Sequence, residues 1–236
     1  MTRGSPLRCD VPSAFDRHAA AYDRLVGANP GYHADLRRAA RAFALPVGGA
    51  GARLLDLGCG TGASTAALLA AAPYAEITGV DASTGMLARA RAKPWPGTMR
   101  FVHGRAEDPP VTGPFDGVFA AYLVRNLEDP DAALSAMRAL LRPGGVLVVH
   151  DYALRDGPVV RLVWHAVCWG VIIPAGRLAT GDARLYRHLW RSALGFDSPE
   201  GFADRLRGAG FTGVRTRTAS GWQRGIVHTF RAETPS

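Results

Sequence analysis

The chain has 236 residues, 47% hydrophobic and 20% charged, a balance that excludes a disordered or fibrous protein and fits one globular domain. Twenty-eight Lys and Arg against 20 Asp and Glu give a formal charge of +8, and every basic residue except Lys93 is arginine. The arginines lie scattered among acids and alanines with no block of like charge, so nothing marks a nucleic-acid tail. Cys9, Cys59 and Cys168 have no paired metal spacing and fit a reducing, cytoplasmic compartment. The first ten residues carry no apolar run of the signal-peptide kind. Residues 162–173 are the most apolar stretch, but they include His165 and fall short of the ~20 residues of a bilayer span, so they read as a buried helix, or alternatively as a stretch that rests with the surplus arginines against a membrane surface.

In chain order, residues 10–45 place Phe15, Tyr22, Leu25, Leu36, Ala40 and Phe43 near helical spacing, broken at Asn29-Pro30-Gly31. Two short helices are predicted there. Residues 53–57 form a short apolar run that ends in Gly58-Cys59-Gly60-Thr61-Gly62 and passes into an Ala- and Leu-rich helix to about residue 72. The alternation repeats with a strand at 77–80, a helix at 83–92 and strands at 100–103 and 115–121, which predicts a mostly parallel α/β sheet. Asp129-Pro130 reads as an N-cap with proline in the first helical position, and Arg142-Pro143-Gly144-Gly145 ends that helix before a buried strand at 146–149. Residues 157–195 interrupt the pattern with an aromatic-rich, mostly helical insertion suited to covering a substrate. A helix at 199–208 and strands at 211–218 and 226–232, joined as an antiparallel hairpin through 219–221, close the chain. One domain is expected, with an N-terminal helical cap (10–45), a cofactor-binding core (52–151), the insertion (157–195) and a C-terminal helix and hairpin (198–232).

Glycines 58, 60 and 62 let the backbone approach a ligand at the carboxyl end of a strand, where open α/β sheets bind. The spacing is G-x-G-x-G rather than the dinucleotide G-x-G-x-x-G, with Asp56 two residues ahead and Asp81 ending the next strand. This combination favours S-adenosylmethionine over NAD. Asp81 can accept hydrogen bonds from both ribose hydroxyls, and Asp56 can draw the ammonium of the methionine part. The segment 103–108 follows the third strand, where a backbone amide can meet the adenine edge.

LLDLGCGTG, GVDASTGML and LRPGGVLVV resemble the motifs of class I methyltransferases. FDRHAAAYD, HGRAEDPP, the YLVRNLEDPDAAL segment, the IPAGRLATGDARLYRHLWRS insertion and GWQRGIVHTFRA are similar to the UbiE-type quinone C-methyltransferases, over residues 15–232. The resemblance implies a Rossmann-like sheet with a C-terminal antiparallel hairpin. It implies cofactor contact through the glycine turn with Thr61, through Asp81, Ala82 and Met86, through Arg105-Ala106, and at Ala121, where a serine is common in the family. It also implies that Tyr22 and Asp23 fold over the cofactor.

Carbon methylation of a reduced quinone needs a base, a bound water or a cation that stabilises the phenolate. Arg125 suits the last two roles with Asn126 beside it; alternatively, Arg125 pairs with Glu128 or Asp129 on the surface and Asn126 caps a turn. His150 is either a base or a structural histidine at a strand end, whereas His165 and His188 read as packed. No metal is expected. Trp164, Trp169, Trp190 and Trp222 line a groove for an isoprenoid tail or form plain core. The expected acceptor is a lipophilic, demethylmenaquinol-like quinol, met at a membrane surface. Alternatives are a soluble polyketide or phenolic acceptor, a cofactor-binding sensor, and nucleic acid, which lacks its usual Asp/Asn-Pro-Pro-aromatic signature here.

Overall fold

A computed structural model describes residues 31–236. Tyr22 and Asp23, with residues 10–30 of the expected helical cap, lie outside the described residues. The elements are α1 (Tyr32–Ala40), β1 (Arg53–Leu57), α2 (Ala63–Ala71), β2 (Glu76–Asp81), α3 (Thr84–Arg91), β3 (Met99–His103), β4 (Phe115–Ala121), α4 (Pro130–Leu140) and β5 (Leu141–Tyr152). There follow α5 (Pro158–Val167), α6 (Ile173–Thr180), α7 (Arg184–Leu194), α8 (Pro199–Gly208), β6 (Thr212–Thr218) and β7 (Val227–Glu233).

The strands form one seven-stranded sheet in the order β3-β2-β1-β4-β5-β7-β6. The first five are parallel, and β7 inserts antiparallel between β5 and β6. Both faces are covered, which explains the continuous apolar runs. Leu55, Leu57, Val118, Ala120, Leu147 and Val149 point into one core with Leu134 of α4 and Phe202 of α8. Leu54, Phe119 and Val148 point into the other, with Leu36 of α1 and Leu68 of α2.

Local chemistry sets the boundaries. Ser83 caps α3 by accepting from Met86 N at 3.1 Å, and Asp129 caps α4 by accepting from Ala132 N at 2.9 Å. The Arg142-Pro143-Gly144-Gly145 stop ends α4 as expected. β5, however, runs from Leu141 to Tyr152 rather than over 146–149 alone, because it pairs with β4 on one side and β7 on the other.

The insertion departs from expectation in a more consequential way. Trp164 and Cys168 are fully buried with Tyr152, Tyr186 and Ile226, but Leu162, Val163, Trp169 and Val171 face outward. Residues 162–173 therefore do not form a buried helix. One side packs on α7 and the strand ends, and the other side is covered by no neighbour among the described residues.

Candidate active site

The sheet places its carboxyl edge where the glycine turn leaves β1. Gly58 N and Cys59 N donate to Val80 O at 2.8 and 3.1 Å, stitching the turn to β2. Gly60, at φ +54, has no atom within 4 Å of where a Cβ would stand, so its backbone borders open space. Gly62 starts α2 against Trp95, whose ring would lie 2.7 Å from an added Cβ. Lys93 Nζ donates to Thr61 O at 2.6 Å from outside the turn. This bracing by Lys93 and Trp95 was not read from the sequence, and a basic residue followed by an aromatic just after α3 was its only signal.

Asp81 sits at the tip of β2. Its Oδ2 accepts from Gly60 N and its Oδ1 from Ser83 N, both at 2.8 Å, so the carboxylate is fixed across the mouth of the turn. The cleft beyond it is lined by Gly58, Gly60, Asp81, Ala82, Met86, Arg105, Ala106, Ala121 and Asn126. Gly104 and Glu107 of the expected segment 103–108 line it as well, and so do Ser83, Tyr122, Leu123, Leu127 and Glu128, which were missed. Three acids against one arginine suit a cationic ligand, and the segment Gly104–Glu107 supplies a backbone edge beside β3. This donor and acceptor set fits S-adenosylmethionine.

Other expected residues stand behind the cleft. Asp56 is fully buried, and its Oδ2 accepts from Ser64 Oγ at 2.8 Å and Thr65 Oγ1 at 2.6 Å. Burial pushes its carboxyl up to about 7, against the lowering effect of those hydroxyls. Thr61 is buried, and neither it, Gly62 nor Asp56 lines the cleft.

Arg125 and Asn126 lie on a short turn after β4 (Val124–Asn126). Arg125 is 6% exposed and pairs with buried Asp151 at the end of β5, not with Glu128 or Asp129 at the surface. Its guanidinium also donates to Tyr122 O at 3.0 Å and lies 4.9 Å from the Tyr152 ring centre. Asn126 Nδ2 donates to the same carbonyl at 3.1 Å, and its Oδ1 accepts from His188 Nε2 of α7 at 3.2 Å. A residue of the insertion thus touches the cleft wall.

Tyr122 is the hub of this corner, at φ +55. Its ring stacks on Tyr32 of α1 at 5.4 Å and meets Tyr152 at 5.3 Å, and its hydroxyl lies 3.2 Å from His150 Nε2. His150 is held from its other side by Thr229 Oγ1 at 2.9 Å, and burial drives its pKa down to about 3. It is neutral at ordinary pH. Of the four tryptophans considered for a groove, Trp164 is core, Trp169 is about half exposed, and none lines the cleft.

The strand order, the glycine turn after the first strand and the acid at the tip of the second define a class I S-adenosylmethionine-dependent methyltransferase. A family profile described as a methyltransferase domain matches residues 54–145. A demethylmenaquinone methyltransferase of Clavibacter sepedonicus is 33% identical over 96% of this chain and 91% of its own. A second, from Thermus thermophilus, is 35% identical over 84% of this chain and 91% of its own. Among solved structures, magnesium protoporphyrin IX methyltransferase from Synechocystis, with S-adenosylhomocysteine bound, shares the fold. Its TM-score is 0.66 at 16% identity, over 96% of this chain and 99% of that one. The chain belongs to the UbiE and demethylmenaquinone methyltransferase family.

Proposed function

We propose that the protein methylates a ring carbon of a reduced, prenylated quinone, a demethylmenaquinol-like naphthoquinol, in quinone biosynthesis. The observation that carries this reading is the similarity to demethylmenaquinone methyltransferases over nearly the whole chain, the insertion included. Bound S-adenosylmethionine supplies an electrophilic methyl on a sulfonium. The ring carbon forms the new C–C bond while the S–CH₃ bond breaks, its electron pair stays on sulfur, and the ring carbon's proton leaves to water.

The chain contributes position and charge. Asp81 holds the ribose hydroxyls, Gly58 and Gly60 admit the methionine part, and the Arg105-Ala106 backbone borders the adenine with Ala82 and Met86. Gly62, Thr61 and buried Asp56 set the shape and field of the turn, and Ala121 borders the reacting end. Arg125 stabilises negative charge on the acceptor oxygen or orients a water that takes its proton, and Asn126 orients the acceptor. The protein works in the cytoplasm, at the inner face of the membrane, and nucleic acid is not its substrate.

One observation favours a second reading. No tryptophan lines the cleft, whose large side chains Met86, Tyr122, Leu123 and Leu127 stand among small and polar ones, and this suits a compact soluble phenolic or polyketide acceptor. An anaerobic assay with labelled S-adenosylmethionine and dithionite-reduced demethylmenaquinone in detergent, read by mass spectrometry, separates the two. Methylated quinone from the reduced but not the oxidised substrate is expected. No product, with calorimetric cofactor binding intact, moves the acceptor to the soluble class.

A further inference from the structure

The inward stripe of α5 and α6 is Val160, Trp164, Cys168, Ile173 and Gly176, with steps of four, four, five and three residues. The five-residue step falls on the π turn at Cys168–Ile172, which keeps the stripe facing α7 across the junction. The opposite side is therefore turned outward for the whole length. Val159, Leu162, Trp169, Val171 and Leu178 are 70, 68, 49, 61 and 89% exposed, with Val163 at their edge. Only two other large apolar side chains are as open among the described residues, Val47 and Tyr74.

Along the helix itself the charge has one sign. Residues 157–181 contain no Asp or Glu. Arg161 follows Val160 and Arg177 follows Gly176, so both take the same flank beside the inward stripe, and both are exposed. α7, packed alongside, turns Arg187 and Arg191 to solvent at helical spacing, while Arg184 at its start is paired with Asp182 at 3.2 Å. A contiguous apolar strip flanked by arginines matches the layering of an anionic bilayer, with phosphates above acyl chains.

We propose that this face docks the protein on an anionic membrane, with the helix Pro158–Thr180 lying flat in the headgroup layer. The helix has 23 residues, and its most apolar 18-residue window, with mean hydropathy 1.6, is long and apolar enough to cross a bilayer. Crossing, however, would strip Trp164, Cys168 and Ile173 from their packing on Tyr152 and Tyr186, whereas lying flat keeps it. The docked face is joined to the cleft. Trp164 meets Tyr152 at 4.9 Å, Tyr152 meets Tyr122 at 5.3 Å, and His188 touches Asn126. The inference deepens the quinol reading, on which its purpose rests, by naming where the acceptor's membrane meets the enzyme.

The test is vesicle flotation of the full chain with phosphatidylcholine alone and with roughly 30% phosphatidylglycerol. Wild type is expected to bind the anionic vesicles at least about tenfold more tightly, and Leu162→Glu with Leu178→Glu to lose about tenfold or more. Arg161→Glu with Arg177→Glu is expected to weaken binding to anionic vesicles alone. Brominated acyl chains should quench tryptophan fluorescence, and Trp169→Phe should remove most of that quenching. All variants should bind S-adenosylmethionine as wild type does, which shows that they fold, and should methylate a short-tailed, water-soluble quinol at the wild-type rate. Equal vesicle binding by wild type and the leucine variant overturns the proposal. So does a wild-type dimer, seen by light scattering, that the leucine variant dissociates, because the face would then join two copies. Vesicle binding by a wild type that methylates no quinol leaves the surface standing and removes the acceptor reading instead.

Discussion

Tyr122 occupies a left-handed backbone conformation that costs a bulky residue about 1–3 kcal/mol, and the structure holds it there from several sides. Its N–H donates to His150 O at 2.7 Å, and its carbonyl accepts from both Arg125 and Asn126. The pair expected to serve the acceptor thus also fixes the backbone that forms its wall. Asp81 has a different place, anchored to the glycine turn at the cleft, and the ribose is its proposed partner. Asp81→Ala should weaken S-adenosylmethionine binding by about 3 kcal/mol, more than a hundredfold in Kd by calorimetry. Arg125→Ala strands buried Asp151 and should cost roughly 3–5 kcal/mol of stability in urea melts. Arg125→Lys keeps a cation and is the cleaner probe, expected to bind cofactor within about twofold and to lose about tenfold or more in kcat. Equal losses in cofactor affinity and turnover would refute an acceptor-side role. Asp81 was legible because an acid at a strand tip after a glycine turn is a local pattern. The Asp151 partner was not, because only the pairing of Ala121 with His150 across β4 and β5 brings residues 125 and 151 together.

At the scale of elements, the strands were readable because a sheet covered on both faces shows short apolar runs bounded by glycine and proline, as at Leu54-Leu55 and Val146–Val149. The insertion was harder. Apolar residues occur all round 158–180, so hydropathy does not say which side finds a partner, and the π turn breaks the period that would mark the inward stripe. What fixes the stripe is contact at small residues. An added Cβ at Gly176 would lie 2.2 Å from Tyr186 Cδ2, so α6 approaches α7 only because residue 176 has no side chain. Gly176→Ala gains helix propensity of about 1 kcal/mol but forces Tyr186 aside at a cost of about 1–3 kcal/mol or more. The net expectation is a destabilised insertion. Limited proteolysis should cut first between α5 and α7 in this variant, and Gly176→Ala with Tyr186→Leu should restore protection. Cofactor affinity should stay at the wild-type value, because neither residue lines the cleft; a parallel fall in affinity would mean that the insertion and the glycine turn fold as one unit.

At the scale of the molecule, two fully buried ionisable groups give stability opposite dependences on pH. His150 titrates near 3 when folded against an ordinary value of 6.5. Between those values the unfolded chain binds the extra proton, so this histidine makes stability rise with pH across that window. Asp56 titrates near 7 when folded against an ordinary 3.8. In its window the folded chain holds the extra proton, so this acid makes stability fall as pH rises from about 4 to about 7. The two slopes overlap and largely offset each other. Asp56→Asn removes one of them while keeping an acceptor for Ser64 and Thr65. Relative to wild type, the variant should therefore gain stability as pH rises from 5 to 7, by at most ~1.4 kcal/mol per unit. The gain should level off above pH 7, where Asp56 is ionised in both states. Urea melts of the two proteins at pH 5, 6, 7 and 8 measure the difference directly. A constant difference across the series would mean that Asp56 keeps its charge in the fold, and that the hydroxyls of Ser64 and Thr65 outweigh its burial.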